Sequence, residues 1–306
     1  MYALTHPFAL ATATTTRLFG MGGFATCIKD VGFGNPAFAG TLTENSAVAR
    51  QSVTTFDSGL KLTGEQASVA FPLKENKRGV QITGFRLTTD DRLLLPGAPP
   101  TSTGLSEYDI AFHYGHRLSS RFIVGFGISP VFHNSVGIDV AGGGPSLLQL
   151  KSSSERGCRL GALYELGNDS WIGAVYDRYE EDVVASGPMV GSSAVELDFT
   201  SEEIAAGISH RLNPCVIAAV EWQQFTSKGG GTRHGDSGFR VGLEATMDNN
   251  VTLRIGSNDG ALSLGAGLTD RRWNFNYAFV KDWNKDVVEP LFGGSKTHQL
   301  EATYRF

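Results

Sequence analysis

Two arginines lie in stretches that otherwise alternate between apolar and polar residues. Arg240 is flanked by Phe239 and Val241, and Arg254 has the same kind of apolar neighbours. A guanidinium holds a carboxylate well because its planar fork donates two parallel hydrogen bonds. Two interpretations are open. The arginines anchor the carboxylate of a hydrophobic ligand, or they form cross-strand ion pairs with acidic residues of the same face, such as Glu244.

The residue patterns that indicate an enzyme are missing from the sequence. The seven histidines include no H-x-x-x-H pair, and no metal-ligand spacing or Ser/His/Asp arrangement is recognisable. The three cysteines, Cys27, Cys158 and Cys215, are widely separated and suggest neither a metal site nor a disulfide framework. No Gly-Lys-Ser/Thr follows the glycines near residue 20, which argues against a phosphate-binding loop. We therefore expect no enzyme activity, no cofactor and no metal.

Apolar residues recur in segments that we predict to be long loops. Clustered apolar residues on an exposed surface usually mark a binding site. One interpretation is a funnel that collects hydrophobic molecules, and the other is that the loops pack on one another. The residues that we single out as ligand-binding candidates, together with Arg240 and Arg254, are Leu93, Leu94, Leu95, Val184, Met189, Leu291 and Phe292.

The elements that must position these residues are β-strands. Between residues 271 and 283, aromatic residues from Trp273 to Phe279 alternate with polar or small ones, which is the period of a strand with two different faces. The last alternating run ends at Phe306, and a terminal aromatic residue is similar to the assembly signal of bacterial outer-membrane barrels. From residue 44 onward we predict fourteen strands, at roughly 44–56, 64–73, 79–90, 105–117, 121–132, 148–166, 169–180, 195–211, 214–226, 237–246, 249–257, 260–267, 270–283 and 296–306.

The predicted connections alternate in length, which favours a membrane barrel over a large soluble β protein. Short turns at one rim and long loops at the other are typical of outer-membrane barrels. We therefore predict an all-β fold, a transmembrane antiparallel β-barrel of about 14 strands, in contact with the lipid bilayer. We expect the four tryptophans near strand ends or on outward faces, as in aromatic girdles. The longer connections are predicted at 91–104, 133–147, 181–194, 227–236 and 284–295.

Composition is consistent with this fold. There are 31 acidic and 26 basic residues, a balance that argues against nucleic acid as the main partner. No run of eighteen apolar residues occurs, so the sequence predicts no transmembrane helix. Ala11-Thr12-Ala13 is similar to the end of a secretory signal but lacks a basic region before it. We expect either a translation start assigned too late or a mature sequence with an added Met.

Residues 1–43 differ from the rest because they are rich in glycine and proline and show no sustained alternation. A barrel of about fourteen strands is too wide for its own side chains to fill. The many inward glycines predicted for the strands would widen it further. We therefore predict two units, an N-terminal segment that plugs the lumen (1–43) and the transmembrane barrel (44–306).

The N-terminal segment resembles the hatch of FadL-type long-chain fatty acid and hydrocarbon transporters. The resemblance rests on the run 17–23 (RLFGMGG), then Asp30, then Asn35-Pro36-Ala37. It implies that Phe19, Met21, Phe24, Asp30, Asn35 and Pro36 belong to the hatch. Phe24 departs from the small residue usual in the family, and the chain is shorter than typical transporters.

The resemblance implies fourteen strands, a luminal hatch, and lateral release of apolar cargo through the barrel wall. We expect passive transport of hydrophobic small molecules across the bacterial outer membrane. The related shuttle barrels of type IX secretion suggest an alternative, a protein-binding barrel with an envelope protein partner.

Overall fold

The computed structural model describes residues 15–30, 34–73, 77–90, 101–140, 146–167, 169–191, 193–229, 232–247, 250–283 and 293–306. Two short helices, α1 (Thr16–Gly20) and a 3₁₀ helix (Pro36–Thr41), precede the strands. The strands are β1 (Ser46–Phe56), β2 (Lys61–Leu73), β3 (Arg78–Asp90), β4 (Thr101–Arg117), β5 (Phe122–Val140), β6 (Ser146–Gly167), β7 (Ser170–Ser186), β8 (Val195–Asn213), β9 (Val216–Gly229), β10 (Thr232–Met247), β11 (Val251–Asn258), β12 (Ala261–Asp270), β13 (Trp273–Lys281) and β14 (Ser295–Arg305).

The fourteen strands form one closed antiparallel barrel. Each strand pairs with the next in sequence, and β14 closes the barrel on β1 with Ser46 opposite Arg305 and Phe56 opposite Ser295. Closure gives every strand a partner on both sides, which removes the unpaired edges that a bilayer does not tolerate. The prediction of a barrel of about fourteen strands is confirmed.

The outer face of the barrel is apolar and uncovered. Trp273, Phe275 and Tyr277 on β13 are 44%, 47% and 39% exposed, so no second layer of protein lies over them. The residues between them face the lumen, and Asn276 is buried there beside Glu301 of β14. Apolar residues outward and polar residues inward is the arrangement of a barrel surrounded by lipid.

The barrel wall is much taller on one side than on the other. We call β4–β8 the tall wall because its strands contain 17 to 22 residues. We call β11–β14 the short wall because its strands contain 8 to 11 residues. At about 3.3 Å per residue, only the tall wall is long enough to reach well beyond an apolar band of roughly 25 Å.

Strands longer than predicted correct four of the predicted loops. Residues 101–104 belong to β4, most of 133–147 belongs to β5 and β6, part of 181–194 belongs to β7, and the described residues of 227–236 belong to β9 and β10. Sequence alternation does not reveal these strand ends because polar residues occur on both faces there. Val184 is consequently a strand residue of β7 rather than a loop residue.

The two short helices are capped by their own sequence. The Thr15 hydroxyl accepts a hydrogen bond from the backbone N–H of Leu18, and the Asn35 side chain accepts one from Ala37 N–H before Pro36 opens the 3₁₀ helix. Helix α1 contacts β11–β14, whereas the 3₁₀ helix contacts β2–β6. The two helices therefore touch separate arcs of the same barrel.

Among the described residues, neither helix has the length and apolar character needed to cross a bilayer.

Candidate functional site

A buried carboxylate on β9 binds the backbone of the N-terminal segment. Glu221 accepts hydrogen bonds from the N–H groups of Ala25 (3.0 Å) and Thr26 (2.8 Å) and from the Thr26 hydroxyl (2.6 Å). The same carboxylate forms an ion pair with Arg240 on β10, with Nη1 to Oε1 at 2.7 Å. Arg240 therefore neutralises the charge that fixes residues 25 and 26.

A second carboxylate, Glu244 on β10, binds two guanidiniums. It accepts hydrogen bonds from Nε (2.8 Å) and Nη2 (2.6 Å) of Arg17 and from Nε of Arg254 (2.7 Å). Burial alone would lower the pKa of Arg17, but the attraction of Glu244 and of the nearby carboxylates Asp30 and Glu301 outweighs it and raises that pKa. Arg17 therefore stays cationic and ties α1 to the barrel.

The third carboxylate lies on β14. Glu301 accepts hydrogen bonds from Thr16 N–H (3.0 Å), Arg50 Nε (3.1 Å) and Asn276 Nδ2 (3.0 Å). Asp30 adds a contact within the N-terminal segment, because it accepts a 2.5 Å hydrogen bond from the Thr15 hydroxyl. Arg240 and Arg254, which were considered as anchors for a ligand carboxylate, thus form ion pairs with carboxylates of the barrel itself.

On the tall side, glycines let the N-terminal segment approach the barrel backbone. Gly79, Gly115, Gly125 and Gly161, which we call the glycine belt, lie side by side on β3 to β6. A Cβ atom at any of them would overlap residues 35–40 of the N-terminal segment. The sequence interpretation that inward glycines widen the lumen misses this role, because a single sequence does not show what lies against them.

Asn35 secures the same contact by hydrogen bonds to the barrel. Its Nδ2 group donates to the carbonyl oxygens of Ala162 (3.0 Å) and Ala174 (3.3 Å), and to that of Thr26 within its own segment (3.0 Å). Arg159 on β6 adds a hydrogen bond from Nη1 to Gly34 O at 3.3 Å. Residues 34–40 therefore rest on the tall wall through backbone contacts.

The other predicted hatch residues are buried against the barrel. Phe19 packs on Trp283 with ring centroids 4.8 Å apart, while Met21 and Phe24 belong to an apolar cluster with Leu18. Phe24 also fills the space beside Gly242 on β10, which explains how a large side chain is accommodated there. Pro36 is buried at the start of the 3₁₀ helix, whereas Asp30 is half-buried.

A patch of apolar side chains interrupts the polar inner face near the rim of β1–β5. We call it the apolar wall. On β3 the inward positions change from Gln81 and Thr83 to Phe85 and Leu87, so the polarity of one face switches along a single strand. This switch is visible in the sequence but was not predicted to mark a site. The members of the apolar wall are Phe56, Leu60, Leu62, Phe85, Leu87, Leu105 and Ala111, with Val136 packed against them.

A polar cluster rich in carboxylates adjoins the apolar wall. Asp109 on β4 stands directly opposite Phe85 in the β3–β4 pairing and is 6% exposed. Its Oδ2 accepts a hydrogen bond from the Ser129 hydroxyl at 3.2 Å. The rest of this cluster includes the buried ion pair between Arg159 and Asp177.

The pairing of β5 and β6 is interrupted next to this cluster. Among the described residues, regular β5–β6 pairing runs as far as Ser129 opposite Gly157 and is found again at Ser135 opposite Lys151. Ser152 bridges the gap at one point, since its hydroxyl lies 2.7 Å from the N–H of Asn134 and 3.0 Å from its carbonyl oxygen. We call residues 130–134 and 152–156 the β5–β6 seam.

The predicted ligand residues are only partly described. Leu93, Leu94, Leu95, Leu291 and Phe292 lie outside the described residues. Met189 is 65% exposed in the turn after β7, and its N–H donates to Leu147 O at 3.1 Å. Val184 is half-buried, while its neighbours Val183 and Ala185 are buried.

Two of the tryptophans contradict the expected girdle. Trp273 is on the outer face as predicted, but Trp171 and Trp283 are buried. Trp171 lies under the Lys29 ammonium, 3.9 Å from the ring centroid, and Trp283 packs on Phe19. Both rings lie against the N-terminal segment. A tryptophan near a strand end can therefore face inward as well as toward the lipid.

Several solved structures share this barrel architecture. A Pseudomonas aeruginosa FadL homologue superposes with a TM-score of 0.64 and 13% identity over 96% of this chain and 98% of the other. This chain has the fold of the FadL-type barrels. The CymD monoaromatic hydrocarbon channel gives a TM-score of 0.62 at 12% identity, over 97% of this chain and 98% of that one. A mutant of the TodX monoaromatic hydrocarbon channel gives 0.61 at 12% identity, over 97% and 99%.

No family model and no curated protein sequence matches the chain. At 12–13% identity the likeness to the solved barrels concerns the fold. The resemblance to FadL-type barrels indicated by the sequence is confirmed at that level.

Proposed function

We propose that this protein is a channel of the bacterial outer membrane that lets hydrophobic small molecules, of the long-chain fatty acid or hydrocarbon type, cross passively. The observation that carries the proposal is the apolar wall, a buried cluster on an inner face where many other residues are polar. Apolar side chains on that face exclude water, and such an environment favours an apolar solute over a polar one. The printed names of two fold neighbours, which are hydrocarbon channels, support the same class of solute.

We propose that residues 1–43 form a luminal hatch and 44–306 the transmembrane barrel. Helix α1 is held by Glu244 and Glu301, and the 3₁₀ helix rests on the glycine belt at a separate arc. A segment attached at both arcs crosses the lumen between them. Such a hatch would exclude water and ions while an apolar solute passes above it.

We propose that the solute leaves sideways through the β5–β6 seam. Within the seam, Pro130 has no N–H group to donate to a neighbouring strand. Val131 of the seam and Ile128 beside it are exposed apolar residues on the outer face. A solute emerging there would enter the membrane rather than the aqueous periplasm.

Transfer of a fluorescent apolar probe between liposomes, with and without the reconstituted protein, tests the channel. We expect the transfer rate to rise, and to saturate with probe concentration, only in liposomes that contain the protein. A rate equal to that of protein-free liposomes would contradict the proposal.

A disulfide between Asn134→Cys and Ser152→Cys, in a background lacking the three native cysteines, tests the exit. These positions face each other across the seam, so the bond should stop it from widening. We expect oxidation to lower probe transfer several-fold and reduction to restore it. Phe126→Cys with Leu160→Cys, a regularly paired position on the same strands, is the matched control. Equal transfer in the oxidised and reduced states of the seam variant would exclude this exit.

The alternative proposal is a protein-binding barrel of a secretion or envelope complex. The tall wall supports it because charged residues such as Arg178 and Glu180 are exposed on its outer face. Stoichiometric co-purification of one envelope protein from membranes, together with no probe transfer, would favour this role. Apolar ligand co-purifying inside the barrel would favour transport.

A further inference from the structure

We propose that the luminal site prefers apolar molecules whose polar group is a neutral or cationic hydrogen-bond donor, such as an alcohol, a phenol or an amine, over those ending in a carboxylate. The inference rests on the proposed transport function and narrows its substrate class, away from fatty acids and toward hydrocarbon-like molecules with a donor group. It is carried by the balance of charges beside the apolar wall.

Carboxylates outnumber guanidiniums in the polar cluster. Among the described residues, the buried ionisable side chains of β4–β10 are two arginines (Arg159 and Arg240), one histidine (His113) and six acids (Glu107, Asp109, Asp177, Glu203, Glu221 and Glu244). Arg159 is bound by Asp177 and Arg240 by Glu221. Each guanidinium thus already has a carboxylate partner.

The remaining luminal cations are also engaged. Glu244 binds both Arg17 and Arg254, and Glu301 binds Arg50. His113 lies on the same face of β4 as Asp109, close to the side chain of Arg159. A carboxylate ligand would therefore have to displace an existing buried partner of a guanidinium, which leaves that acid without compensation.

Asp109 offers the opposite kind of contact. Its Oδ2 accepts the Ser129 hydroxyl, whereas Oδ1 is buried and has no hydrogen-bond partner among the described residues. A buried acceptor without a donor costs free energy, so a ligand that donates to it gains affinity. Glu203 on β8, the direct cross-strand neighbour of Asp177, is a second buried acid.

The pairing of β3 with β4 places this acceptor at the edge of the apolar wall. Phe85 is the direct cross-strand neighbour of Asp109, and Leu87 follows two residues later on the same face. Phe85 and Leu87 are buried within the apolar wall, so an amphiphile that inserts its chain among these side chains brings its polar end to Asp109. A donor group gains a hydrogen bond there, while an anionic group meets like charge.

Competition for a bound fluorescent apolar probe tests the preference. The full chain in a neutral maltoside detergent would be titrated with four ligands that share one alkyl chain and end in methyl, hydroxyl, amine or carboxylate. A charge-assisted hydrogen bond of about 1.5–3 kcal/mol corresponds to roughly ten-fold or more in affinity. We expect the alcohol and the amine to compete at least about ten-fold better than the carboxylate.

The variant Asp109→Asn keeps the shape of the side chain and removes its charge. We expect it to reduce the advantage of the amine over the carboxylate several-fold and to leave alkane competition unchanged. Glu65→Gln, which alters an exposed acid on β2, is the matched control and should change neither. Retained β-sheet circular dichroism and an unchanged thermal midpoint would show that each variant is folded.

The outcomes separate this inference from the function on which it rests. Carboxylate binding as tight as amine binding, unaffected by Asp109→Asn, would overturn the preference while leaving hydrophobic transport intact. Failure of the probe and of all four ligands to bind the folded protein would overturn the transport proposal itself.

Discussion

The short wall and the tall wall hold the N-terminal segment by different physical means. On the side of the short wall, α1 is held by charge, because Glu244 and Glu301 bind Arg17 and the backbone of Thr16. On the tall wall, the 3₁₀ helix is held by close backbone approach to the glycine belt and by the amide of Asn35.

This difference decides which part of the lumen is available to a ligand. The carboxylates near the short wall are already bound to the N-terminal segment and to their arginines. The tall wall secures its half of the segment with the glycine belt, Asn35, a hydrogen bond from Arg159 and the contact of Trp171 with Lys29, and none of these contacts uses Asp109 or Glu203. The site that we propose for ligands therefore lies on the tall side.

The largest loss of stability should come from breaking a buried ion pair on the side of the short wall. Glu301→Leu leaves the buried Arg50 guanidinium without its carboxylate, and we expect a loss of stability of about 3–5 kcal/mol. The measurement is guanidinium unfolding in detergent, followed by tryptophan fluorescence, together with ion leakage from liposomes.

The double variant Arg50→Met with Glu301→Leu is the control for this prediction. It removes both charges, and we expect it to recover much of the lost stability because an apolar pair of similar volume is often tolerated. A double variant as unstable as the single one would show that the contact to Thr16 N–H, rather than charge, dominates.

The next largest effect should come from adding bulk on the tall side. A methyl group in Gly125→Ala would overlap the backbone of Ala37, and overpacking of this kind costs about 1–3 kcal/mol. We expect the 3₁₀ helix to be displaced and liposomes to become leaky to small ions.

Gly84→Ala on β3 is the matched substitution, since nothing lies within 4 Å of a Cβ atom there. It should leave leakage and stability unchanged. Equal behaviour of the two alanine variants would mean that close approach does not hold the segment at this arc.

At the apolar wall, the effect of interest is on ligand affinity, measured on variants that remain folded. Phe85→Ser removes apolar contact area worth about 1.5–3 kcal/mol, so probe binding should weaken roughly ten-fold or more. Leu94→Ser and Phe292→Ser test the predicted outer funnel in the same binding and transfer assays.

Phe126→Ser is the control for the three serine variants above. Phe126 is on the lipid-facing side of β5, so this change leaves the lumen untouched. Weakened binding only in Phe85→Ser would place the site at the apolar wall. Weakened transfer only in the two loop variants would place it in the funnel.

The smallest effect is expected on the outer face of the short wall. The Tyr277 hydroxyl lies 2.9 Å from Nδ1 of His298 in an exposed position, so its hydrogen bond is worth at most about 0.5–1.5 kcal/mol. Tyr277→Phe should shift the thermal midpoint slightly and leave transfer unchanged. A marked loss of transfer would show that this face takes part in the pathway.

Much of the barrel was predictable from the sequence because lipid imposes a strict pattern. Strands such as β13 alternate since one face meets hydrocarbon and the other meets water or protein. The tall ends of β5 to β10 were not predicted because the same pattern disappears where lipid ends. The N-terminal segment was recognisable for the opposite reason, its lack of any strand period.

The candidate site was less accessible to sequence reasoning. Arg240 and Arg254 were found, but their partners Glu221 and Glu244 are determined by strand register. Asp109 and Phe85 are 24 residues apart in sequence and become neighbours only through the β3–β4 pairing.

By itself, the sequence determined the fold class, the number of strands and the segment that precedes them. Each strand residue faces either lipid or the lumen, so the alternation of apolar and polar residues can be read directly from the sequence. Only the tertiary structure decided that inward glycines support a backbone, that two tryptophans face inward, and that an acid borders an apolar wall. Those facts depend on which strands lie side by side and in what register, and closure of the barrel settles both at once.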